Sequence, residues 1–102
     1  MKALFTTRSG GVSAVPWDSL NLGDHVGDDL AAVRANRNLL AQATGVRPVF
    51  LQQVHGSHVV ALSGDTPDGT QADGCVSTQP GVACTIMVAD CLPVLLADSR
   101  GR

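Results

Sequence analysis

Apolar and polar residues fall along this chain in blocks of two distinct periods. After Asp28 and Asp29, one side of a 3.6-residue repeat carries Leu30, Val33 and Leu40 with Ala32, Ala41 and Ala43, while Arg34, Asn38 and Gln42 recur every four residues on the other. Either aspartate can accept a backbone N–H at the start of a helix. Gly45, just past Thr44, can take the left-handed conformation that ends one. The pattern predicts a helix from these aspartates to about Thr44.

Shorter runs, richer in β-branched residues, predict strands over residues 3–7, 48–54, 58–62 and 75–77. Residues 82–89 and 93–97 are nearly continuous apolar runs, which predict strands covered on both faces. Glycine, proline and asparagine punctuate the rest. Residues 8–13 form a glycine loop, and an irregular segment carrying Pro16, Asn21 and Gly23 reaches Gly27. Loops of that length in a compact domain are commonly functional. The expected class is α/β (α+β), built on a buried sheet. Ser99-Arg100-Gly101-Arg102 reads as a turn after a buried strand, which implies a break inside a domain.

Composition narrows the function. The chain has 102 residues, 44% hydrophobic and 16% charged, which suits one core-forming domain. Asp90, Pro93 and Asp98 interrupt the longest apolar stretches, so none approaches the roughly 20 residues of a membrane span. The net charge is −2, the seven basic residues are scattered, and Phe5, Trp17 and Phe50 are the only aromatics. Nucleic acid is therefore a poor partner. Cys75, Cys84 and Cys91 form no CxxC pair, and the start lacks a secretory h-region, so a reduced cytoplasmic protein is expected.

Five stretches can carry chemistry, and each also has an ordinary structural explanation. In Thr6-Thr7-Arg8-Ser9-Gly10-Gly11-Val12-Ser13, glycine amides and the Arg8 guanidinium suit an anion, but the stretch equally suits a hairpin turn. Asn21, in Ser19-Leu20-Asn21-Leu22-Gly23, can address a sugar or base, or close an Asx turn. His55, in Gln53-Val54-His55-Gly56, sits where a metal ligand or acid–base group would serve. His58 reads as a neutral surface imidazole on the opposite face of an extended chain. Asp73-Gly74 reads as a turn. In Val88-Ala89-Asp90-Cys91-Leu92-Pro93, Asp90 needs a partner if buried, and Cys91 is either an inert thiol or a ligand. Cys75 and Cys84 read as inert.

Six pieces of the chain, in order, resemble the YfiH-like family: Phe5 to Ser13, Ser19 to Asp28, Asn36-Arg37, Gln53-Val54-His55-Gly56, Ala72-Asp73-Gly74 and Ala89-Asp90-Cys91-Leu92-Pro93-Val94. The resemblance runs from Leu4 to Asp98. It implies a mixed-sheet sandwich flanked by helices, related to cytotoxic necrotizing factor catalytic domains. By the same resemblance, His55 and Cys91 are catalytic and bind a metal, with a further histidine in a His-Ala-Gly-Trp-Arg-Gly motif completing the site. That motif is not in this chain, so residues 1–102 would be the N-terminal part of one domain, less than half of a family member. The ligand types suit zinc, and copper also fits.

The activity implied is phosphorolysis of purine nucleosides (adenosine, inosine, guanosine, methylthioadenosine), with adenosine deamination as a second reaction. Arg8 with the Gly10 and Gly11 amides would hold phosphate, and Asn21 would orient the nucleoside. The alternatives are a copper polyphenol oxidase, a Cys/His amidase with Cys91 as nucleophile acting in peptidoglycan editing, and a fragment without activity. The sequence leaves the oligomeric state undefined.

Overall fold

Among the described residues there is one helix, α1 (Leu30–Thr44), which follows the long irregular segment. Asp29 Oδ1 accepts the Ala31 N–H at 3.0 Å, and the Gly45 N–H reaches the Ala41 carbonyl at 2.9 Å with Gly45 in the left-handed region (φ 72°). Each terminus thus closes on a residue suited to it, an N-cap of this kind being worth about 1 kcal/mol. The outward positions Arg34, Asn38 and Gln42 are exposed as the spacing predicts. The inward stripe differs from expectation. Its fully buried members are Val33 and Asn36, whereas Leu30 is 52% exposed. The loop fastens to the helix at Asn36 and Arg37, so Leu30, in the first turn, is left uncovered.

The structure is a computed structural model that describes residues 3–88 and 93–97. Leu4–Gly45 is one compact unit, and the described residues outside it make up another. The second unit holds β1 (Arg47–Phe50), β2 (Val59–Ala61), β3 (Gly74–Val76) and β4 (Val82–Thr85). β1 pairs in parallel with β4, from Arg47 opposite Val82 to Phe50 opposite Thr85. β2 pairs in parallel with β3, from Val59 opposite Gly74 to Ala61 opposite Val76. An isolated parallel bridge joins Gln52, two residues past β1, to Gln71. Val49, Leu51, Leu62 and Ala72 form the core, with Val60, Cys75, Val82 and Ile86 packed against it. A fully buried Val or Leu contributes roughly 1.5–3 kcal/mol.

Four predicted strands change, and β1 is one of them, ending at Phe50, short of the predicted residue 54. Residues 3–7 form no strand, and Leu4 and Phe5 are exposed. Residues 93–97 form none either, and Leu96 is 86% exposed. Neither run has a ladder partner among the described residues, and an apolar run without one has no hydrogen bonds to make it a strand. β4 ends at Thr85 and is only partly buried, so it is not covered on both faces. The turn expected at the last four residues lies outside the described residues.

Candidate functional site

The Gln53-Val54-His55-Gly56 motif begins three residues after β1 ends. Buried Leu51 anchors its start. Gln53 then uses its side-chain amide as a strand would use a peptide group: Nε2 donates to the Met87 carbonyl at 2.9 Å, and Oε1 accepts the Met87 N–H at 2.8 Å. Beyond Gln53 the backbone turns, with His55 at φ 61°, a left-handed conformation uncommon for a residue other than glycine. The chain is therefore not extended between His55 and His58, and opposite-face spacing does not apply to that pair.

Asp73 holds this turn. Its Oδ1 accepts the N–H groups of Val54 at 2.9 Å and His55 at 2.8 Å, and its Oδ2 accepts that of Gly56 at 2.8 Å. Asp73 is itself fixed, because its N–H and that of Gly74 both donate to the His58 carbonyl, at 3.0 and 3.2 Å. Three consecutive amides converging on one anion make a nest whose occupant is a side chain of the same chain. Partial burial opposes the charge on Asp73. The amides of Gly56, Val54 and His55 and the nearby His55 ring outweigh it and hold the carboxyl below its ordinary range. Only backbone is consumed here, and His55 is exposed.

The reading of Asp73-Gly74 as a plain turn missed this role. Nothing local could have shown it, since the amides lie 17 to 19 residues away. Gln53 was also missed, its partner lying 34 residues away.

The Leu4–Gly45 unit is organised around Asn36. Its Oδ1 accepts the Val12 N–H at 2.8 Å, and its Nδ2 donates to Ser13 Oγ and to the Asn21 carbonyl, each at 2.8 Å. Asp28 Oδ2 accepts from the Ser13 hydroxyl and from Asn21 Nδ2. The Asn21 amide also makes an Asx-type exchange with Gly23, at 3.1 Å in each direction. The Gly11 N–H donates to Ser19 Oγ at 3.1 Å, so it does not stand open to an anion. Arg8 donates from Nε to the Asp18 carbonyl at 2.9 Å and from Nη2 to Asp18 Oδ1 at 3.3 Å, with its side chain 75% exposed. An exposed pair of this kind is worth under about 1 kcal/mol.

Cys91 and Asp90 lie outside the described residues. Cys75 and Cys84 are free thiols. Partial burial, followed by the neighbouring Cys75 thiol, pushes Cys84 up to about 12, which makes it a poor nucleophile or ligand at neutral pH. Among the described residues no three His, Cys, Asp or Glu side chains gather as a metal site, and no helix is long and apolar enough to cross a membrane.

Comparison with known proteins fits this geometry into a family. The family model for multi-copper polyphenol oxidoreductase laccase matches residues 2–102. The chain belongs to this family, the YfiH-like proteins. A YfiH-like relative from Pseudomonas aeruginosa, named as a purine nucleoside phosphorylase, is 52% identical over 101 residues, covering 99% of this chain and 41% of its own. The purine nucleoside phosphorylase YfiH of Escherichia coli is 46% identical, covering 97% of this chain and 42% of its own. Among solved structures, the Neisseria meningitidis protein NMB0706, of the DUF152 family, is 47% identical with a TM-score of 0.75, covering 84% of this chain and 36% of that one. YlmD from Geobacillus stearothermophilus is 34% identical with a TM-score of 0.66, over 76% of this chain and 33% of that one. The α/β fold is thus that of the YfiH-like proteins, and the chain spans about two fifths of the length of the curated relatives it matches.

Proposed function

We propose that this chain carries part of the site of a metal-dependent purine nucleoside phosphorylase, with His55 and Cys91 as metal ligands. The observation that carries the reading is the exposed His55 imidazole on a turn fixed through its backbone, in a chain whose relatives at 46% and 52% identity bear that activity in their names. The pairing of Gln53 with Met87 supports it, because Gln53 precedes His55 by two residues and Met87 precedes Cys91 by four.

An imidazole nitrogen and a thiolate suit zinc and also accept copper, so the donor types fit the implied metal. A zinc ion held there supplies a Lewis acid and an activated water, the requirement of the second proposed reaction, adenosine deamination. The chain's own contribution is to present His55 with its ring unencumbered. Arg8, exposed on its loop, is the proposed phosphate-binding residue. Asn21, its side-chain amide held by Gly23 and Asp28, is the proposed nucleoside-orienting residue. In phosphorolysis a phosphate oxygen bonds to the ribose C1′ as the C1′–N9 bond breaks. The departing purine takes up a proton, giving free base and ribose 1-phosphate.

The test is incubation of the full-length protein with adenosine or inosine, with and without phosphate, and identification of products by mass spectrometry. Ribose 1-phosphate should form only with phosphate, and Cys91→Ala should lose both bound metal and turnover. A folded, metal-loaded protein that leaves every nucleoside intact, yet oxidises phenols when copper is added, would transfer the reading to the laccase activity of the family description.

A further inference from the structure

We propose that Asp73 is the positioning residue for His55, its carboxylate fixing residues 54–56 in the one backbone arrangement that turns the imidazole outward as a ligand. This rests on the reading of His55 as a metal ligand. A histidine at φ 61° is unfavourable for an isolated chain, and such conformations persist only where the surroundings over-determine them. Here the surroundings are one side chain. Val54, His55 and Gly56 are exposed, so core packing does not hold them. Three amide bonds of 2.8–2.9 Å to Asp73 do.

The geometry also explains the residue types. Two oxygens are required, because Oδ1 takes two amides and Oδ2 the third. An asparagine keeps the shape but offers an amino group where Gly56 needs an acceptor. Gly56 leaves room for the carboxylate, since a Cβ there would meet Asp73 Oδ2 at 3.2 Å. Asp73 bonds no part of the imidazole, so its action passes through the backbone. It differs in this from the ring-nitrogen partners that usually orient metal-bound histidines.

The experiment uses the full-length protein and zinc. Zinc affinity is measured by competition with a chromophoric chelator for the wild type, Asp73→Asn and His55→Ala, and amide hydrogen exchange at residues 54–56 is followed by NMR in the metal-free protein. Asp73→Asn should weaken zinc binding about 10- to 100-fold, the usual effect of losing support for a ligand. Its unfolding transition should stay cooperative while the three amides lose protection. Wild-type zinc affinity in a folded Asp73→Asn protein would overturn the proposal. If the variant does not fold, the wild type still decides: the three amides of this exposed turn should be protected from exchange, and exchange at the free-chain rate would overturn the proposal. If His55→Ala binds zinc as the wild type does, the ligand reading fails, and the proposal falls with it by a result that does not involve Asp73.

Discussion

Asn36 and Asp73 each hold an irregular stretch of chain from a distance, but they take hold of different atoms. Asn36, fully buried on α1, sits in a network that absorbs side chains as well as backbone: it donates to the Ser13 hydroxyl, and the Asp28 carboxylate accepts from both that hydroxyl and the Asn21 side-chain amide. Asp73 takes only the amides of residues 54–56 and leaves the side chain of His55 outside. A polar group whose partners are side chains builds architecture and leaves little over for a ligand. One whose partners are peptide groups can build architecture and still present chemistry. By this criterion the Leu4–Gly45 loops are chiefly scaffold around the exposed Arg8, and the turn at residues 54–56 is the better candidate for contact with a metal.

The contrast can be broken most forcefully at the two glycines. A Cβ at Gly11 would overlap the backbone of Ser19 and Leu20 and the Asn36 oxygen. Gly11→Ala should therefore cost about 3 kcal/mol in urea unfolding, at the upper end for overpacking. At Gly56 the Cβ meets only Asp73 Oδ2 at 3.2 Å and Val54 Cγ2 at 3.8 Å. Gly56→Ala should cost under about 1 kcal/mol. Equal costs would remove the distinction between a closed network and an open turn.

A smaller effect should appear with pH. The Ser13 hydroxyl lowers the Asp28 carboxyl below its ordinary value. Partial burial opposes this, and Asn21 and the Asp29 amide reinforce it. The folded state thus binds this proton less readily than the unfolded state. The stability it contributes is full above the ordinary carboxylate value of 3.8 and is lost as pH falls through the lower folded value. Unfolding of wild type and Asp28→Asn, compared at pH 6 and pH 3, should show the gap between them narrowing on acidification. A constant gap would mean that Asp28 is not held as described.

The smallest effect on the fold, though a clear chemical one, concerns Cys84. This residue is exposed, yet its thiol is pushed up to about 12. Iodoacetamide at pH 8 should label it about two to three orders of magnitude more slowly than an ordinary exposed thiol, and Cys75→Ala should speed the labelling. Ordinary reactivity in the wild type would show that exposure alone sets availability here.

What the sequence made legible follows from how far each signal travels. The helix could be read to within a residue at each end, because Asp29 and Gly45 act on backbone one turn away. The positions of β1 to β4 were also visible, although β1 and β4 are shorter than their apolar runs. Residues 3–7 and 93–97 misled because strand-like composition says nothing about a partner. His55 was marked as a candidate by its residue type and neighbours, but its left-handed backbone and its dependence on Asp73 were not, since the carboxylate lies across β2 in sequence. Asn36 stood in a recognisable motif, yet its place at the centre of the buried stripe ran against a helix pattern read from apolar residues alone.

The left-handed backbone at His55 also acts as a filter on inheritance. A position at φ 61° accepts glycine readily and asparagine, aspartate or histidine at moderate cost, and it penalises β-branched residues heavily. Of that short set, only histidine offers a neutral nitrogen donor to a metal. Replacement at this position is therefore confined by the main chain before any demand of catalysis is applied, and glycine, asparagine or aspartate should be tolerated here in folding far better than a β-branched residue.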